Sequence, residues 1–122
     1  MRTVNTSELT GEPLNWAVGK AAGLPVQIQP AQYGISARVF VEAPSGLARY
    51  RPVIDWGQCG PIMEKHQIEC EWQGSDGKAF SWTAQHQDIV EGQTAGDMRT
   101  AICRAVVAAV SGPVVDVPGE LF

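Results

Sequence analysis

The stretch IECEWQGSDGKAFSWT, residues 68–83, decides the fold class. Ile68, Cys70 and Trp72 alternate with Glu69, Glu71 and Gln73, and beyond GSDGK the alternation resumes with Phe80 and Trp82 against Ser81 and Thr83. Successive side chains of a strand point to opposite faces, so each run carries one apolar and one polar face, and the glycine-containing pentapeptide between them supplies turn residues. The pattern predicts an antiparallel hairpin with Cys70, Trp72 and Trp82 turned toward the core.

Outward from the hairpin the period changes. Downstream, Met98, Ala101, Ile102, Ala105 and Ala109 share one face of a predicted helix over residues 95–110, with Thr94 and Asp97 as an approximate capping box and Gly112 and Pro113 as its stop. Cys103, Val107 and Val110 make the back of its second half apolar as well, the mark of a helix buried centrally or set against another subunit. A homodimer using this helix or a sheet edge is the expectation. VVDVP, residues 114–118, reads as a closing strand.

Upstream, Leu14, Ala17, Val18 and Ala21 form the stripe of a helix over residues 10–22, with Thr10 placed to cap it, Pro13 in its first turn, Lys20 near its end and Gly23 terminating it. Ile35, Ala37, Val39 and Val41 alternate with Ser36, Arg38 and Glu42 as a half-buried strand, with Phe40 interrupting the polar side. Gly57, Gly60 and Pro61 predict an irregular loop through VIDWGQCGPIMEK, residues 53–65, with a short helical turn after Pro61. Together these elements predict a single small α+β domain over residues 1–122. Two main helices pack on a small, mainly antiparallel sheet that contains the hairpin near residues 67–85.

Composition narrows the function classes. With 44% hydrophobic and 18% charged residues in 122, the chain is an ordinary globular domain that buries roughly two thirds of its unfolded surface without needing staples. Nine Lys and Arg against thirteen Asp and Glu give a net charge of −4, which argues against generic nucleic-acid binding, since phosphate neutralisation needs a basic face. Three cysteines, none in a Cys-x-x-Cys pair, suggest reduced thiols rather than a disulfide framework. The polar start MRTVNTSELTGEP and the lack of any apolar run near ~20 residues predict a protein neither exported nor membrane-spanning.

An ordered set of short motifs resembles a known family. TSELTG followed by LNWAV, then a tyrosine and a proline before DWGQCGPIMEK, then AICRAVVAAVSG and VVDVPGEL, are similar to the NinX-type family of small tailed-phage and prophage proteins. The resemblance covers both ends and the centre, about half of the chain, and leaves residues 24–49 unmatched. It departs from the family pattern at Cys59, where a Gly-Gly-Pro loop has its first glycine, and at Cys103, where methionine often precedes the arginine. The family is one of unknown function, so the resemblance implies a phage or prophage product in the cytoplasm of a bacterial host and no reaction. It marks Trp16, Asp55, Trp56, Gly60, Pro61, Glu64 and Arg104 as recurring motif positions.

The residue types for chemistry are present but dispersed. Cys59, His66, Cys70 and His86 lack the close pairs of a structural zinc site, and Cys70 reads as a core residue; no metal and no cofactor is expected. Cys59 with His66 or His86 and Asp55 has the composition of an acyl-transfer site, and Glu69 with Glu71 that of a carboxylate pair, yet no complete catalytic motif accompanies either, so no catalytic residue is assigned. GxGxxG and GxxxxGK[ST] do not occur, which leaves the loop from Gly57 to Pro61 as an anion cradle or a plain chain reversal. Arg38, Arg49 and Arg51 with Tyr33 and Tyr50 form either a small base-stacking groove or solvated loops. Trp56 is a plug for its loop or a contact for a partner.

The candidate binding or loop-clamp site is therefore Asp55, Trp56, Gly60, Pro61, Glu64 and Arg104. Arg104 lies ~120° from the core-facing direction of its helix among apolar neighbours, so it needs a carboxylate or several carbonyls. Asp55 or Glu64 is the expected partner, with Trp56 packed beside the clamp. The expected mode of action is binding to a host or phage protein. A small enzyme or small-ligand-binding protein using residues 55–64 is the alternative.

Overall fold

The computed structural model describes residues 1–74, 81–86 and 92–122. Its organising element is the long helix near the C-terminus, Met98–Ser111. Asp97 starts it, accepting from the Thr100 backbone N–H at 2.9 Å and from the Thr100 hydroxyl at 2.7 Å. Thr94 belongs instead to a short strand, so the N-cap is Asp97 acting alone rather than a Thr94–Asp97 box. Gly112, at φ 89°, ends the helix in a conformation closed to most side chains. Thr100 to Cys103 and Ala105 to Val107 are buried. The helices Gly11–Ala21 and Trp56–Lys65 and the strands Ile68–Gly74 and Ser81–His86 pack against it, so the cover for Cys103 and Val107 is intramolecular, and Val110 is the apolar residue it leaves exposed.

In chain order the elements are β1 (Arg2–Asn5), α1 (Gly11–Ala21), β2 (Val26–Gln29), β3 (Arg38–Ala43), β4 (Gly46–Arg49), α2 (Trp56–Lys65), β5 (Ile68–Gly74), β6 (Ser81–His86), β7 (Gln93–Ala95), α3 (Met98–Ser111) and β8 (Val114–Val117), with single 3-10 turns at Thr6–Glu8 and Gly119–Leu121. The fold is α+β: three helices and three small antiparallel sheets, ordered β1-β8, β2-β3-β4 and β5-β6-β7. The expected hairpin is β5 with β6, Trp72 facing Trp82 with ring centroids 5.0 Å apart. Its GSDGK turn and Phe80 fall largely outside the described residues. Trp82 is half-buried against the core, whereas Trp72, nearer the turn, is 43% exposed and is not the core residue its alternation suggested.

Helix α1 ends as its glycine predicts. Gly23, at φ 73°, donates to Lys20 O at 3.1 Å while Leu24 donates to Gly19 O at 2.9 Å, the paired bonds of a Schellman motif. At its start Thr10 occupies the N-cap backbone position without a side-chain cap bond. Gly19 lets α1 approach closely: a Cβ there would stand 2.3 Å from Val26 Cγ1 and 3.2 Å from the Tyr50 ring. The chain ends are tied together by β1 and β8, with buried Thr6 donating its hydroxyl to Gly112 O at 2.8 Å.

The main departure from the sequence reading lies at residues 56–65, where a helix replaces the expected loop. Asp55 caps it, accepting from Gly57 N at 2.8 Å, and Cys59 and Ile62 bury its inner face. Pro61 removes one backbone donor, and glycine at position 60 has no Cβ to clash with the proline ring. Capping and burial outweigh one missing hydrogen bond, each contributing on the order of 1 kcal/mol or more.

Candidate functional site

The family-like residues centre on α2, and the helix distributes them. At about 100° per residue, Trp56 and Pro61 lie roughly 140° apart around the axis, with Glu64 between them on the outer side and Cys59 opposite. Cys59 and Ile62 are buried, Gly60 is half-buried, and Pro61 and Glu64 are exposed. Asp55 is spent on the cap, so the start of α2 already holds its own anion, which replaces the imagined cradle between Gly57 and Pro61.

Upstream polar side chains hold α2 in place. Gln58 donates to Arg49 O at 2.7 Å and accepts from Arg51 N at 2.7 Å, binding the end of β4 to the helix. Asn15, buried in α1, accepts from Val53 N at 3.2 Å. Glu12 accepts from Val39 N at 3.1 Å and pairs with Arg49. The proposed base-stacking set is thereby broken up: Arg49 is committed to Glu12, Tyr50 is buried, and Tyr33 projects from a remote turn. The aromatic that receives Arg38 and Arg49 is Phe40, at 5.3 and 5.6 Å.

The clamp exists with a different arginine. Arg104 donates from Nε to Leu9 O at 2.8 Å and from Nη1 to Thr94 O at 2.7 Å, so its hydrogen bonds go to carbonyls of other segments and not to Asp55 or Glu64. Burial lowers its pKa, and Asp97 partly offsets that. Arg99, five residues earlier, donates to Ile54 O at 3.1 Å and lies 5.3 Å above the Trp56 ring. It therefore ties α3 to the start of α2. Sequence reasoning passed over Arg99, although a cation in the first turn of a helix opposes the helix dipole and so invites another explanation. Trp56 is neither plug nor free: it remains 46% exposed beside Ile54 at 60%, with one face against Arg99.

The groups considered for catalysis are separated. Cys59 and Cys103 are both fully buried in the core. Interaction with Cys103 favours the Cys59 thiolate and burial opposes it, while interaction with Cys59 and burial push the Cys103 thiol up. A nucleophile must reach its substrate, and Cys59 is enclosed. Glu69 and Glu71 are exposed on β5, and the side chain of His86 lies outside the described residues. Among the described residues no group of three or more His, Cys, Asp or Glu is placed to hold a metal ion, and no helix is long and apolar enough to cross a membrane.

The family model described as Bacteriophage P22, NinX matches residues 5–110 of the chain. The chain belongs to this NinX family. The match includes residues 24–49, which the short motifs had left unassigned, and stops before the closing VVDVPGEL segment. Within the NinX match, α1, α2 and nearly all of α3 are included together with Asp55, Trp56, Arg99 and Arg104. No curated protein matches the chain.

Proposed function

We propose that this NinX-family phage protein acts by binding a host or phage protein in the cytoplasm of the bacterial host, with Ile54 and Trp56 at the start of α2 as the contact. The observation that carries this reading is a half-exposed tryptophan at the capped start of α2, with the Arg99 guanidinium 5.3 Å from its ring and an exposed isoleucine two residues away. Tryptophan and arginine dominate binding energetics at interfaces, and anchors held rigid before binding lose less entropy on association. The alternative of a small enzyme at residues 55–64 finds no assembled catalytic group, because Asp55 caps, Glu64 stands apart and Cys59 is enclosed, and its ligand-binding form would have to use the apolar groove on the other flank of α2. A homodimer would use the exposed Val110 and Val114 instead.

The test is affinity capture from infected or lysogenic cells with the wild-type chain and with Trp56→Ala. A partner retained by wild type and reduced at least tenfold by Trp56→Ala, with unchanged melting temperature, supports the reading. A partner held equally by both chains contradicts it.

A further inference from the structure

On the other flank of α2 a groove enclosing about 370 Å³ opens between the end of α1, strand β3 and the helix. Its size lies at the low end of the range of ligand pockets. Leu24, Val41, the Tyr50 ring and Ile62 make its floor apolar, and Pro61 and Lys65 form its rim. Gln58 also lines it, but its amide is consumed by Arg49 and Arg51. The charged group on the lining is the Lys65 ammonium, whose hydrogen bond to Ala22 O is long, at 3.5 Å, and which has no carboxylate partner among the described residues. No acidic residue lines the groove, in a chain with thirteen acids against nine bases.

We propose that this groove docks a peptide segment of a partner protein in which a bulky apolar side chain is followed within one or two residues by a carboxylate. The apolar side chain displaces water from the Tyr50 and Ile62 floor, and the carboxylate pairs with Lys65 at the rim. Charge complementarity selects the acid: the charged side chain on the lining is the Lys65 cation, and no carboxylate on the lining opposes an incoming one. The shape selects a side chain on a longer chain over a free small molecule. Tyr50 and Ile62 are buried, while Pro61 and Lys65 stay in solvent, so an occupant is covered on one side and keeps the other in water. The inference stands on residues separate from Ile54 and Trp56, so the failure of either proposal leaves the other intact.

The experiment is an amide-resolved NMR titration of the full chain with blocked tetrapeptides carrying leucine–aspartate, leucine–lysine or alanine–aspartate at their centre. Saturable shifts at Leu24, Val41, Tyr50 and Ile62 are expected with leucine–aspartate, at least tenfold tighter than with either control. Lys65→Glu, an exposed substitution, is expected to reverse the preference between the aspartate and lysine peptides, and Ala22→Phe to fill the groove and abolish both. Equal shifts from the alanine and leucine peptides, or no saturable shift, would overturn the proposal. So would displacement of the peptide by octanoate at lower concentration, which would make the site one for small amphiphiles. Shifts that grow with the chain's own concentration would assign the groove to a second copy and equally end the proposal. The wild-type peptide series alone decides the matter if a variant fails to fold.

Discussion

Tyr33 is 94% exposed and adopts φ 52°, followed by Gly34 at φ 76°, and the flanking Gln32 and Ile35 exchange backbone hydrogen bonds at 3.0 and 2.9 Å. Two consecutive positive φ values in a two-residue hairpin loop define a type I′ turn, for which Asn-Gly is the favoured pair. Tyrosine tolerates the left-handed region poorly, and its ring here gains no contact that would compensate. Tyr33→Asn is therefore expected to stabilise the protein by about 0.5–1 kcal/mol, read as a raised urea midpoint with an unchanged slope. Arg104 presents the opposite case, because its guanidinium joins α3 to two separate carbonyls. Arg104→Ala is expected to cost about 2–3 kcal/mol, and Arg104→Lys to recover less than half of it, since an ammonium on a flexible stem cannot span both acceptors as a planar fork does. Chemical denaturation of the two variants checks the order.

At the scale of elements, α2 carries a cost within it. Pro61 is the sixth residue of a ten-residue helix and withholds the N–H that would reach Gly57 O. Pro61→Ala restores that bond, and after the flexibility gained by the unfolded chain is counted it is expected to raise stability by about 1–2 kcal/mol in thermal or urea unfolding. The same change removes part of the groove rim, so stability and peptide docking should move in opposite directions. This element also marks where the sequence was least legible. The hairpin, α1 and α3 repeat their periodicity over many residues, and Gly23 and Gly112 end their helices where glycine suggests. In α2 the turn-forming residues outnumber the periodic ones, and what makes it helical is tertiary: burial of Cys59 and Ile62 and the Gln58 bridge to β4. Strands β1, β2, β4 and β7 are too short to show a period, and β1 forms only by pairing with β8 at the far end of the chain. For the site, Asp55 and Trp56 were readable from the motif. Arg99 and Arg104 lie about 140° apart around α3, and which of the two sides faces the start of α2 is set by tertiary packing that the sequence pattern does not carry.

For the whole molecule, the buried centre beside α3 holds three weakly polar groups: the Cys59 and Cys103 thiols and the Tyr50 hydroxyl. Tyr50 is 4% exposed, and its hydroxyl is buried without a hydrogen-bond partner. Burial raises its pKa well above the ordinary 10.0, and the neighbouring Cys103 and Cys59 add to the shift. In the unfolded chain the phenol loses its proton near pH 10, while in the folded protein it keeps it. Above pH 10 the unfolded state therefore binds fewer protons than the native state, and stability falls as pH rises, by up to about 1.4 kcal/mol per pH unit for one such group. Below pH 10 both states hold the proton and this contribution does not vary. Tyr50→Phe keeps the ring against Gly19 and removes only the titrating hydroxyl. At pH 7 it is expected to match or exceed wild type by up to about 1 kcal/mol, because an unpaired buried hydroxyl costs desolvation without return. From pH 10 to 11.5 its advantage should widen steadily. Urea unfolding of both proteins across that range measures the gap, and a difference that stays constant from pH 7 to 11.5 would place the Tyr50 hydroxyl in contact with water.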